Sequence, residues 1–148
     1  MPKTATDTMA IADRLRPVLL RVGRELRREA REVGVSPEQV SLLVAIKYSP
    51  GAGVRELAER ERVSAPALSN RIDRLEQDGL VARTQSADDR RRVGMTLTEE
   101  GQRVLRRVRS RRTAWLVQRL GHLSAEELAA VSAAIEPLAQ LLDEEQRP

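Results

Sequence analysis

"VRELAERERVSAPALSNRIDRLEQDGLVAR" occupies residues 54–83. It contains two short helical patterns with almost nothing between them. Arg55–Arg62 turns Leu57 and Ala58 inward, and Val63 is a lone apolar residue in a turn. Ser64 then caps a second helix, Ala65 to Asp78, which Gly79 ends in the C′ position. Helix, tight turn, helix is the spacing of a helix-turn-helix.

Set out at 100° per residue, Ala65, Leu68, Ile72 and Leu75 of the second helix form one stripe directed at a core. The opposite face carries Pro66, Ala67, Asn70, Asp73, Arg74 and Gln77, flanked by Ser69 and Arg71. Asparagine can pair bidentately with adenine, and a small apolar side chain can meet a thymine methyl. The Ser64 hydroxyl and the helix N-terminus suit phosphates. Taken alone, the same pattern describes an amphipathic helix with a solvated outer face. The residues that follow decide between the two.

Leu80–Thr84 and Val93–Leu97 read as strands, joined by the polar run from Gln85 to Arg92. A hairpin directly after such a helix is a wing. Its tip gathers Arg90, Arg91 and Arg92 beside Asp88 and Asp89. Narrow, A·T-rich minor grooves are strongly negative and favour inserted arginine. One of Asp88 and Asp89 is expected to pair with a neighbouring guanidinium and orient it, and the wing match given below places that role on Asp89. An edge hairpin kept soluble by charge would look similar.

Outside this lobe the pattern is helical. Ile11, Leu15, Val18, Leu19, Val22 and Leu26 recur at steps of three and four, in a helix ending near Gly34 that Pro17 should bend. Ser36-Pro37-Glu38-Gln39 is a capping-box start, with Val40, Leu43, Val44 and Ile46 as core. Thr98 caps a long helix to about Leu120, with Val104, Leu105, Val108, Trp115 and Leu116 apolar. Ser124-Ala125-Glu126-Glu127 opens a last helix carrying Leu128, Val131, Ile135, Leu138 and Leu142, which Pro137 should bend. The expected fold class is therefore mostly α with a small β-hairpin wing: a winged helix-turn-helix lobe at 35–98, and helical regions at 1–34 and 99–148.

Composition narrows the chemistry. The 148 residues include no cysteine, no phenylalanine, one tryptophan and one histidine. The core must be aliphatic, disulfides and thiol switches are ruled out, and almost nothing remains for a zinc site. No apolar run approaches the roughly 20 residues of a membrane span. The first 15 residues lack an apolar leader, so the chain is expected to be cytoplasmic. The net charge of +4 favours a polyanionic partner only weakly. Lysine occurs only at Lys3 and Lys47, so 24 of the 26 basic residues are arginine, and their placement says more than their number.

The whole stretch from Val54 to Gly101 resembles the winged helix-turn-helix of the MarR family of bacterial transcription regulators. The resemblance is carried by "LSNRIDRLEQDGLVAR", an Asp-x-Arg wing at Asp89-Arg90-Arg91, and the "LTEEG" entry into a long helix. Arg91 then matches the wing-tip arginine that enters the minor groove in that family. The resemblance implies a homodimer in which the first helix and the last two interlock between chains. It also implies two winged lobes reading a pseudo-palindrome in double-stranded DNA. Many such proteins are repressors released by small phenolic or anionic effectors bound between the dimer helices and the lobe. Neither an effector nor its pocket is marked in this sequence. The cysteine-based oxidant sensing of some relatives is excluded by composition.

Residues 103–119 hold seven arginines and no acid, and residues 124–148 six acids and one arginine, a contrast that fits pairing across chains or two solvated faces. Trp115 is assigned to core or dimer packing, Tyr48 to a partly buried site, and His122 to a turn rather than a metal. No nucleophile–base pair, Gly-rich phosphate loop or metal spacing points to an enzyme, and no cofactor is implied. A winged-helix adaptor that docks an acidic protein through the same surface is the alternative to a DNA-binding regulator.

Overall fold

The computed structural model describes residues 5–85 and 92–143. Its elements are helices α1 (Ala5–Arg31), α2 (Pro37–Tyr48), α3 (Val54–Glu61) and α4 (Ala65–Gln77), strands β1 (Val81–Gln85) and β2 (Val93–Leu97), and helices α5 (Glu99–Leu120) and α6 (Ala125–Asp143). The fold is mostly α with one antiparallel hairpin, as the sequence predicts. Two compact units divide the chain at residues 1–112 and 113–148.

The first unit holds the core. Leu42, Leu43, Ile46, Leu57, Leu68, Ile72, Leu75, Met95 and Val108 are fully buried. Truncating any of these leucines to alanine would cost about 2–5 kcal/mol, since burial is lost and a cavity is left behind. The capping box forms as predicted: the Ser36 hydroxyl accepts from the Gln39 amide at 3.1 Å, and Oε1 of Gln39 accepts from the Ser36 amide at 2.9 Å. Within α2 one assignment changes. Leu42 is buried and Val44 is exposed. This helix touches α1, α3 and β2, so it is buried on more than one side and a single amphipathic stripe does not describe it.

Gly79, at φ +73°, closes α4 in a Schellman turn, with the Leu80 amide donating to the Leu75 carbonyl at 2.9 Å. The hairpin pairs Val81 with Leu97 and Gln85 with Val93. A third segment joins it where Ala52 bridges Met95. The Thr98 hydroxyl donates to the Gly79 carbonyl at 2.6 Å and accepts from the Gly101 amide at 3.0 Å. One side chain thereby caps α5 and ties it to the end of α4.

Helix α1 runs unbroken through Pro17. Near its C-terminal end Arg111 reaches Glu29 at 3.0 Å, and Arg112 donates to the Leu26 carbonyl at 3.0 Å. Burial, and then the neighbouring Arg27, lower the Arg112 guanidinium pKa from its ordinary value. Farther along α1, Met9, Ile11, Val18, Leu19 and Leu20 are exposed. Tyr48 is 75% exposed rather than partly buried, with the Lys47 ammonium 5.7 Å from its ring centre. It sits at the last position of α2, beyond the core contacts of that helix.

In the second unit the Ser124–Glu127 capping box forms at 2.8 and 3.2 Å. Helix α6 continues through Pro137. Trp115 is half-buried, with the Arg119 guanidinium 5.4 Å from its ring centre. Leu128, Val131, Ile135, Leu141 and Leu142 of α6 are exposed. His122 lies in the turn before α6, as predicted.

Candidate nucleic-acid interface

The turn between α3 and α4 takes three residues. Arg62 adopts the left-handed conformation, φ 53° and ψ 44°, and the Val63 amide donates to the Ala58 carbonyl at 3.1 Å. Val63 folds back onto the core. The Ser64 hydroxyl then accepts from the Ala67 amide at 3.3 Å and starts α4. Leu68, Ile72 and Leu75 anchor that helix, each fully buried.

This anchoring leaves the first turns of α4 open. Ser64, Pro66 and Asn70 are exposed, and Ala67 and Ser69 are half-buried. Ala65 departs from the expected stripe. It is exposed, because at the first helical position it lies past the edge of the core. Arg71 is half-buried and Arg74 exposed. These two come together with Ser36, Glu38 and Gln39 around a cleft of about 380 Å³ at the start of α2. The small and amide side chains of α4 thus occupy its N-terminal half, and the arginines flank them.

The wing lies next in the chain. Asp89, Arg90 and Arg91 fall outside the described residues. Arg92 is described and exposed. It lines a cleft of about 600 Å³ with Arg55, Glu56 and Glu59 of α3 and Thr84 and Gln85 of β1. The arrangement offers exposed hydrogen-bonding groups at a helix N-terminus, with basic groups on either side.

Sequence reasoning missed one participant. Arg83 of β1 extends across to α4, placing Nη2 2.7 Å from Oδ1 of Asp73 and Nε 3.2 Å from Oε2 of Glu76. The signal was present: Asp73 and Glu76 stand at i, i+3 on one helical face. Which side of the hairpin faced them was not fixed by the strand pattern.

Among the described residues no helix is long and apolar enough to cross a membrane, and no cluster of His, Cys, Asp or Glu could hold a metal ion.

The family model described as "MarR family" matches residues 35–93, which covers α2 through the start of β2. The chain is 31% identical over 133 residues to the HTH-type transcriptional repressor MdtR of Bacillus subtilis, an alignment spanning 90% of this chain and 86% of that protein. The crystal structure of the YusO protein from Bacillus subtilis is similar at a TM-score of 0.73 and 32% identity, over 93% of this chain and 99% of that one. A variant of MepR from S. aureus, solved bound to an oligodeoxyribonucleotide, shares the fold at a TM-score of 0.69 and 21% identity, over 88% and 96% of the two chains.

Proposed function

The chain belongs to the MarR family of DNA-binding transcription regulators, and on that premise we propose that it is a homodimeric repressor of a pseudo-palindromic operator. The observation that carries this reading is the open N-terminal half of α4, with Ser64, Pro66 and Asn70 exposed above three fully buried anchors. In the proposed complex Asn70 reads a base edge in the major groove, and Pro66 and Ala67 approach the floor. Ser64, Ser69, Arg71 and Arg74 contact phosphates. Arg90, Arg91 and Arg92 of the wing serve the adjacent minor groove, with Asp89 orienting them.

The uncovered apolar residues of α1 and of α6 support a second copy as partner. Residues 1–34 and 99–148 then form the dimerisation region and 35–98 the lobe. The relative named as a repressor supports negative control. A cleft of about 510 Å³ runs between α2, β2 and α5, with Ile46, Leu97 and Leu105 on its apolar side and Lys47, Arg106 and Arg109 on its charged side. Three cations above an aliphatic floor suit a small organic anion as effector. A cytoplasmic location follows from this role.

Footprinting on the DNA upstream of the coding sequence, at two salt concentrations, tests the reading. A protected pseudo-palindrome with half-sites about one helical turn apart supports it. Failure to bind any duplex at low salt would sink it and favour a protein-binding adaptor.

A further inference from the structure

We propose that Arg83 serves DNA binding by screening two carboxylates on the reading helix. The proposal rests on the regulator reading above.

Helix α4 is electrically awkward for a DNA reader. Its two basic residues, Arg71 and Arg74, are matched by two acids, Asp73 and Glu76. Asp73 follows Asn70 by three residues, so it shares the face on which a base would be read. A carboxylate there lies within a Debye length of the approaching phosphates and repels them. Arg83 answers this from the neighbouring strand. Its guanidinium takes both carboxylates at once, 2.7 Å from Asp73 and 3.2 Å from Glu76. The three side chains are each about half exposed, at 41–52%. Such an exposed cluster contributes little to stability. Its effect on DNA binding is through charge: two anions share a cation.

Charge suppression separates this role from a merely structural one. Binding is measured by fluorescence anisotropy on two labelled duplexes, one from the region upstream of the coding sequence and one of unrelated sequence. Arg83→Ala weakens binding to both by about ten-fold, since like charges are then left facing the phosphates. Adding Asp73→Asn and Glu76→Gln to that variant restores binding to within about three-fold of wild type. The same two changes in the wild-type background leave binding equal or tighter, because Arg83 is released toward phosphate. Arg83→Lys is intermediate, as a point charge meets one carboxylate better than two.

A triple variant no tighter than Arg83→Ala overturns the proposal. So does a loss of affinity when the two acids alone are neutralised, which would mean that they contact DNA directly. A wild-type chain that binds neither duplex at low salt overturns the regulator reading and the clasp together. Wild-type binding without suppression overturns the clasp alone.

Discussion

Gly101 lies against the backbone of Leu80 so closely that a β-carbon built on it would stand 2.1 Å from the Leu80 carbonyl oxygen. That oxygen also accepts from the Thr98 amide at 3.1 Å, so it cannot easily retreat. In an ordinary helix interior, glycine to alanine gains about 1 kcal/mol. Here the sign reverses. Gly101→Ala is expected to destabilise the chain by about 1–3 kcal/mol, as overpacking does. A urea midpoint that stays the same or rises would refute the contact.

Arg62 holds a left-handed conformation that costs an L-residue about 1 kcal/mol or more. Arg62→Gly removes that cost and adds backbone entropy in the unfolded chain. The net expectation is a stabilisation of up to about 1 kcal/mol, read by thermal or urea unfolding. Clear destabilisation would show that the arginine side chain matters more than its backbone strain.

Asn70→Ala should relax base preference at one position of each half-site, by about 1–3 kcal/mol. Competition between duplexes that differ at single positions reads this directly. An equal loss on every sequence would make Asn70 a phosphate contact. Arg91→Ala, by contrast, should lose most on A·T-rich flanks.

Leu19 and Ile135 are 47% and 62% exposed in the single chain, on helices assigned to the dimer. Leu19→Glu or Ile135→Glu should shift the protein toward monomer in sedimentation and lower operator affinity with it, since two half-sites are then no longer held together. A variant that stays dimeric while carrying both charges would remove these faces from the interface.

The Glu127 carboxyl is held below its usual range by the backbone amide of Ser124 first and its hydroxyl second, with burial opposing. A carboxylate whose folded pKa is lowered stabilises above its unfolded pKa, and that stabilisation is lost as pH falls through the folded value. Helix α6 should therefore lose helicity in acid more readily than it does in Glu127→Gln, whose cap does not titrate. Circular dichroism of the two proteins down to strongly acid pH checks this; identical profiles would leave Glu127 without a role in the cap.

Much of this architecture was legible because local chemistry marks it. Ser36, Ser64, Thr98 and Ser124 each cap the helix that the sequence assigned to them. Gly79 stops α4 where a left-handed residue is needed. Packing from several sides was harder to read. Leu42 and Val44 exchanged places because α2 has neighbours on more than one side, and periodicity assumes one buried face. At the candidate site, the open turns of α4 followed from spacing except at Ala65, which spacing turned inward and the structure leaves exposed. The Arg83 clasp did not, since it depends on how a strand crosses a helix. The "LTEEG" glycine was visible as a motif, but its reason is a backbone approach that no one-dimensional pattern displays.

The link from Thr98 to Gly79 also sets a fulcrum. Helix α4 is held at its C-terminal end by the first turn of α5, and its 13 residues make a lever of about 20 Å. A tilt of about 5° at the held end sweeps Ser64, at the far end, through about 1.7 Å, which exceeds the whole distance range over which a hydrogen bond is made or lost. In the proposed complex, a small rotation of the leading turn of α5 that carried α4 with its buried Leu68, Ile72 and Leu75 would bring the opposite tip of α4 into register with a groove or take it out.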